Sequence, residues 1–422
     1  MSSPPRRTAA PIGFRRFVLD TTPLSIRPYR RLWSSTIVTS VGSQLTAVAV
    51  PKQIYDLTGS SGYVGLSGLV ALVPLIVFAL WGGAIADVVD RRKLLLITNG
   101  GLAVTSFLLW AQAAMASASI PVILVLLALQ QACFGMNSPA RSASVARLVP
   151  LWMLPAANAL NATVMNLGQI AGPLLAGALI PVFGISTLYL VDSLALVAAV
   201  IAVLRLPPIP PQEGVRRRAG VREVAAGFRY LSMHSVLLVS FLADIIAMVF
   251  GMPRALFPEM ASRTFGGAGS GLALGVLFAA IPAGSLLGGL LSGTFTRVRR
   301  HGVAVAVSVG LWGAAIAAFG LTRSLWVAAL FLALAGAADL ASMVFRSSIL
   351  QAAATDEMRG RMQGVFTVVV AGGPRLADFV HGTFGAAVGT RATVVGGGLL
   401  VIVGMVVAAL AFPAFLRYRA PA

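Results

Sequence analysis

Apolar residues in this chain fall in long runs separated by short polar breaks, without the strict alternation that a half-buried strand would show. Twelve runs reach the roughly 20 residues that a helix needs to cross about 30 Å of hydrocarbon: 32–54, 63–86, 94–116, 120–140, 156–181, 185–204, 235–258, 271–294, 302–321, 325–345, 362–388 and 393–416. The pattern predicts an all-α membrane protein with twelve transmembrane helices. The longest break, from Arg205 to Ser235, opens with the Pro-rich LPPIPP and divides six runs from six. The expected organisation is an N-terminal tail (1–31), a six-helix half (32–204), a linker (205–234), a second six-helix half (235–416) and a C-terminal tail (417–422).

Composition agrees: 58% of the 422 residues are hydrophobic and 11% are charged, with a mean hydropathy of +0.89, more apolar surface than one soluble core could hide. The net charge of +19 raises the question of a nucleic-acid partner. If both termini and the 205–234 linker are cytoplasmic, 26 of the 32 Lys and Arg face the cytoplasm, leaving Lys52, Arg254, Arg263, Arg323, Arg375 and Arg391. That asymmetry is the positive-inside rule, so the basicity reports topology and no nucleic acid is expected. The first run is too long for a signal-peptide core and is read as a retained span. The single cysteine, Cys133, excludes an intramolecular disulfide.

The halves resemble one another. A shift of 205 residues lays Arg141-Ser142 on Arg346-Ser347, Gly168 on Gly373 and Gly177 on Gly382, and a shift of 206 lays Gly82-Gly83 on Gly288-Gly289 and Arg91 on Arg297.

Two stretches carry chemistry. After the second run comes GAIADVVDRRK, Gly83 to Lys93. A carboxylate such as Asp87 at a helix end can face the positive N-terminus of another helix and a basic residue such as Arg141, while Arg91 and Arg92 are also ordinary charges for a membrane surface. The fifth run contains GQIAGPLLAG, with Gly168, Gly172, Pro173 and Gly177. Glycine and proline cost helix stability, roughly 1 and 3 kcal/mol against alanine. In a membrane, however, small residues four apart let helices approach closely, and a proline bend is tolerated where neighbours satisfy the freed carbonyl. The stretch is expected to form a close, bent seam against a partner helix.

These motifs resemble the major facilitator transporters. Gly83, Asp87, Arg91 and Arg92 match the signature between helices two and three, with Val88 where a basic residue is usual and Asp90 where glycine is usual. Gly168, Gly172, Pro173 and Gly177 match the antiporter signature of exporters, with Ala176 replacing its penultimate glycine. Over most of its length the chain is similar to drug/proton antiporters, in particular the branch containing the bacterial enterobactin exporter, through VAVPKQIYDLTGSS, GGAIADVVDRRK, LPPIPP with AGFRYL, and DEMRGRMQG. The resemblance implies two six-helix halves with a substrate site between them near mid-membrane, a small-molecule substrate (drug or siderophore), protons as coupling ion, and a monomer in the bacterial inner membrane. Relatives often carry a proton-transferring arginine in the fourth span; Gln131 stands at about that place here, so coupling must use other residues.

Ionisable residues within spans are costly and are functional candidates by default. They are Asp244 in the seventh run, Asp339 in the tenth, and Arg375, Asp378 and His381 in the eleventh, spaced three apart on one helical face. Arg375 and Asp378 could neutralise one another, His381 could be structural, and Asp339 with Arg346 could form a gate or helix-end pair. Asp244, with no basic residue within one turn, is the leading titrating candidate; Asp192 is a weaker one. The polar residues Gln44, Asn158, Asn161, Asn166 and Gln169 could pack or face a cavity. Uptake of a small polar solute is the nearer rival function. A membrane-embedded enzyme would need a metal cluster or a nucleophile with its base; the three histidines, at 234, 301 and 381, suggest neither, no Walker-type loop is present, and neither cofactor nor metal is expected.

Overall fold

The computed structural model describes residues 20–86, 88–115, 118–210, 221–266, 270–353 and 355–419. The first half contains α1 (Arg27–Thr58), α2 (Ser61–Ala86), α3 (Arg91–Ala114) and α4 (Ile120–Leu148), followed by one continuous stretch, Leu154–Leu204. Gly184 (φ 76°) breaks that stretch into α5 (154–183) and α6 (185–204). The linker carries an amphipathic helix, α7 (Val221–Met233); the second half contains α8 (Ser235–Gly251), α9 (Ser270–Leu290), α10 (His301–Leu321), α11 (Leu325–Ala353), α12 (Asp356–Val388), α13 (Thr390–Ala411) and the short α14 (Pro413–Arg417). Among the described residues, nine segments are long and apolar enough to span a membrane. Counting the broken segment as two, and adding the long but more charged α1 and α12, is compatible with the twelve expected.

The seventh run departs from expectation. In place of an unbroken span over 235–258, α8 stops at Gly251, Arg254–Leu256 forms a 3-10 turn, and Met260–Gly266 is π-helical. Pro253 is the physical reason, since it lacks an N–H and its ring clashes with the preceding turn. Neighbouring helices bond to the carbonyls of α8 beside the break: Trp312 Nε1 donates to Ala247 O at 3.2 Å, and His381 Nε2 stands 3.1 Å from Phe250 O, an acceptor that the break leaves without its helical donor.

Helix pairing repeats between the halves. α1 packs on α5 as α8 packs on α12, α2 on α4 as α9 on α11, and α3 on α6 as α10 on α13. The halves meet along α5·α9 and α2·α12. Both seams are glycine contacts: a Cβ on Gly177 would lie 2.6 Å from Gly271 O, and one on Gly382 would lie 2.6 Å from Ser61 O. Gly184 and Gly389, also 205 residues apart, adopt φ of 76° and 90° at equivalent turns, a left-handed conformation that glycine takes without strain.

Near these seams the core is shared. Leu45, Val50, Tyr55 and Ala176 of the first half cluster with Leu256, Phe257, Leu274 and Leu277 of the second. At the opposite end, Tyr29, Leu32, Leu95, Val145 and Leu160 form a separate cluster containing first-half residues alone. The halves share a core at the end bearing the 59–61, 184 and 389 turns; at the other end, among the described residues, no buried apolar cluster joins them.

Candidate substrate cavity

Between the halves lies a cavity of about 360 Å³, walled by Val50, Leu75, Leu102, Leu127, Leu196 and Phe278 with polar groups set into it. Helix-interior prolines line it from four helices: Pro51 (α1), Pro173 (α5), Pro282 (α9) and Pro374 (α12). The first half contributes Gln44, Gln130, Gln131, Gln169 and Asp192; the second contributes Arg254, Arg375 and Asp378.

Asp192, on α6, is 1% exposed. Its Oδ2 accepts from Thr46 Oγ1 and Ser106 Oγ, each at 2.7 Å, and Gln130 Nε2 donates to the same Ser106 oxygen at 3.0 Å. One carboxylate thus ties α1, α3 and α6 together and reaches α4, with hydroxyl dipoles as its direct donors. Beside it, Tyr189 donates to Gln53 Oε1 at 2.8 Å, and Gln112 Nε2 donates to the same oxygen at 3.1 Å.

The second half uses ion pairs. Arg375 Nη1 lies 3.9 Å from Asp378 Oδ2, bringing the two together as the three-residue spacing suggested. Arg346 Nη1 is paired with Asp244 Oδ1, both side chains buried, and Arg346 Nη2 lies 3.9 Å from Asp339. Asp244 is therefore not the unaccompanied acid that its local sequence indicates: its cation arrives from α11, a contact that spacing along α8 cannot reveal. Neither Asp244 nor Asp339 lines the cavity. His381 is buried and bridges Ala377 O (3.0 Å) and Phe250 O, outside the cavity lining.

The exporter-like stretch faces two partners. Cβ atoms on Gly168 and Gly172 would collide with Ser40 and Gln44 of α1, within the same half, whereas Gly177 and Pro173 face Gly271 and Gly275 of α9 across the seam. The single partner expected for the whole stretch is thus replaced by two, because α5 turns roughly 100° per residue and positions 168 and 177 differ by two and a half turns. Gln44 and Gln169 reach the cavity; Asn158, Asn161 and Asn166 are not among its lining residues.

At the opposite end from the shared core, Gly83 lies half-buried in the last turn of α2, and Asp87 lies outside the described residues. Asp90, which takes the usual glycine position, caps α3: its Oδ1 accepts from Arg92 N at 2.8 Å and from Ile209 N at 3.3 Å. Arg92 Nη2 donates to Leu204 O at 2.6 Å and Arg31 Nη1 to Arg205 O at 2.8 Å, cations placed at the negative C-terminal end of α6. Arg91 is buried and its N–H donates to Ile209 O at 3.1 Å. Arg141 donates to Thr36 Oγ1 at 2.6 Å and to Asn137 Oδ1 at 3.4 Å.

Sequence reasoning passed over Arg254 and the Thr46–Ser106–Gln130 group. Arg254 carried a signal, an arginine directly after Gly-Met-Pro inside an apolar run; the hydroxyls carried none, because serine and threonine are common in spans.

Two helical halves in pseudo-twofold repeat, sealed at one end around a polar-lined cavity, define a transporter of the major facilitator type. A bacterial homologue of the lysosomal transporter Spinster, solved in an inward-facing, unoccupied conformation, superposes with a TM-score of 0.69 at 16% identity over 96% of this chain and 100% of that one. The nucleoside transporter NupG superposes with a TM-score of 0.69 at 12% identity over 93% and 100%. Residues 20–417 match the model of the transmembrane secretion effectors, and the chain belongs to that family. Among curated proteins, the enterobactin exporter of Citrobacter koseri is 28% identical over 410 residues, 96% of this chain and 97% of the relative. That of Escherichia coli O81 is 28% identical over 392 residues, 92% of each. The protein is a multi-pass membrane transporter and not an enzyme.

Proposed function

We propose that the protein exports an amphipathic small molecule across a bacterial inner membrane in exchange for protons, by alternating access and as a monomer. The observation that carries this reading is the cavity at the contact of the halves, backed at one end by a core that both halves share and with no such shared core among the described residues at the other, which we read as the open end. That end bears Arg91, Arg92, Lys93 and Arg205, which the positive-inside rule assigns to the cytoplasm, so this conformation receives its cargo from inside, with both termini and the 205–234 linker cytoplasmic. A siderophore is the first cargo to test, since the relatives above are named for enterobactin export; drugs are the second.

Asp378 is the proposed proton carrier. It lines the cavity and holds its cation loosely, whereas Asp244 is locked to Arg346 away from the cavity. Asp87 is proposed to hold the parted end shut in the alternate conformation, so Asp87→Asn should impair export without loss of expression. Cells with and without the protein, loaded with enterobactin and a panel of lipophilic dyes, should differ in accumulation, and a protonophore should abolish the difference. Export indifferent to the protonophore would eliminate proton exchange. Asp378→Asn should stop pH-driven export while sparing energy-independent exchange; a pumping Asp378→Asn would move the coupling site elsewhere. In a Cys133→Ser background, an impermeant thiol reagent applied to intact cells should label Ser324→Cys and leave Ser232→Cys untouched; the reverse would invert the topology.

A further inference from the structure

The break in α8 sets a guanidinium at the blind end of the cavity. Arg254 opens the 3-10 turn that follows Pro253, and this turn packs against α12 and α2, the helices of one seam. Its side chain faces the cavity, and among the described residues it forms no ion pair and no side-chain hydrogen bond. The acids within electrostatic reach are Asp378 and Asp339. Asp339 lies 3.9 Å from Arg346, and Asp378 is shared with Arg375. Arg346 is already paired with Asp244, so three guanidiniums and three carboxylates meet here; of these only Arg254, Arg375 and Asp378 line the cavity, two cations to one acid on its second-half wall. Across the cavity, Asp192 is buried, its Oδ2 held by Thr46 and Ser106 while its Oδ1 has no partner among the described residues, and the remaining polar groups there include the uncharged Gln44, Gln131 and Gln169.

An uncompensated cation within a membrane protein is costly, and such residues are retained where they face water, a partner or a ligand. Among the described residues, Arg254 has no ion-pair or hydrogen-bond partner that would explain it. The guanidinium fork matches a carboxylate or another planar oxyanion in two parallel hydrogen bonds, and the apolar walls suit a hydrocarbon or aromatic body. We infer that Arg254, with Arg375 beside it, forms an anion subsite, so that the cargo is an amphipathic organic anion bound with its negative group toward the sealed end and its apolar part among Leu102, Leu127 and Phe278. The inference rests on the cavity being the substrate site proposed above.

The test is equilibrium binding to the purified full-length protein of three probes with one aromatic body and different charge: 2-naphthoate, 2-naphthamide and 2-naphthylmethylammonium. Naphthoate should bind at least tenfold more tightly than the amide, and the ammonium more weakly than either. Arg254→Gln should erase the naphthoate preference and leave amide binding within about twofold. Arg254→Lys, which keeps the charge but loses the fork, should retain part of it. Equal binding of naphthoate and amide by the wild type, or an undiminished preference in Arg254→Gln, would overturn the subsite. Should Arg254→Gln not fold, as judged by thermal unfolding, Arg254→Lys and Arg375→Gln decide, since an unchanged preference in both is incompatible with the assignment. Binding is read without transport, so a protein that prefers naphthoate yet fails to change accumulation in cells loses the export reading and keeps the subsite.

Discussion

Arg141 and Arg346 stand 205 residues apart at corresponding places in the two halves, and they have different neighbours. Arg141 donates to the neutral Thr36 and Asn137; Arg346 is paired with Asp244 and approaches Asp339. The buried acid of the first half, Asp192, is likewise held by hydroxyls. Helix pairing is the same in both halves because it depends on small residues at the contacts, such as Gly172 of α5 against Gln44 of α1 and Gly373 of α12 against Met248 of α8. Electrostatics is free to diverge because it depends on single side chains that packing tolerates in several forms. The first half holds its helices together with dipoles, the second with charges.

The strongest way to break this contrast is Asp244→Asn. Removing one member of a buried ion pair leaves the other charge uncompensated, at a cost of about 3–5 kcal/mol, so thermal unfolding in detergent should shift down sharply. Asp244→Leu combined with Arg346→Met should recover most of the loss. An unshifted transition in Asp244→Asn would remove the pair from the account of stability. The matching change in the first half, Asp192→Asn, keeps one acceptor for the Thr46 and Ser106 hydroxyls and should cost about 1–3 kcal/mol; a loss equal to that of Asp244→Asn would erase the distinction between the halves.

The seam provides a subtler comparison. Leucine at Gly172 or at Gly177 overpacks a contact, typically at about 1–3 kcal/mol. At Gly172 the strain lies within one half and should lower stability in either conformation alike. At Gly177 it falls on the sealed seam and should bias the protein toward the alternate conformation, read as increased labelling of Ser61→Cys in the Cys133→Ser background. Equal labelling in the two leucine variants would show that the seam does not set the conformational balance. The smallest effect belongs to Arg92→Gln, which removes a cation from the C-terminal end of α6 and should cost about 0.3–1 kcal/mol, less at high salt; a salt-independent loss would point to packing instead.

The all-helical, membrane-spanning character and the glycine-rich contacts were readable along the chain because each is a local or periodic property: a span needs about 20 apolar residues, and a close contact needs small side chains at helical spacing. The Arg375–Asp378 pair was readable for the same reason, both residues lying on one helix. The break at Gly251–Pro253 was signalled by its proline, yet apolar composition alone carried the run through it. Asp244 looked unpaired because Arg346 lies 102 positions away, and the seam of Gly177 looked continuous with the contact of Gly172 because one helix can serve two neighbours on different faces. Residue order therefore suffices for what one helix does in a bilayer. Which charges meet, which have no ion pair among the described residues, as Arg254 has none, and where the halves share a core depend on how the helices pack together, since those contacts join residues that no spacing rule relates.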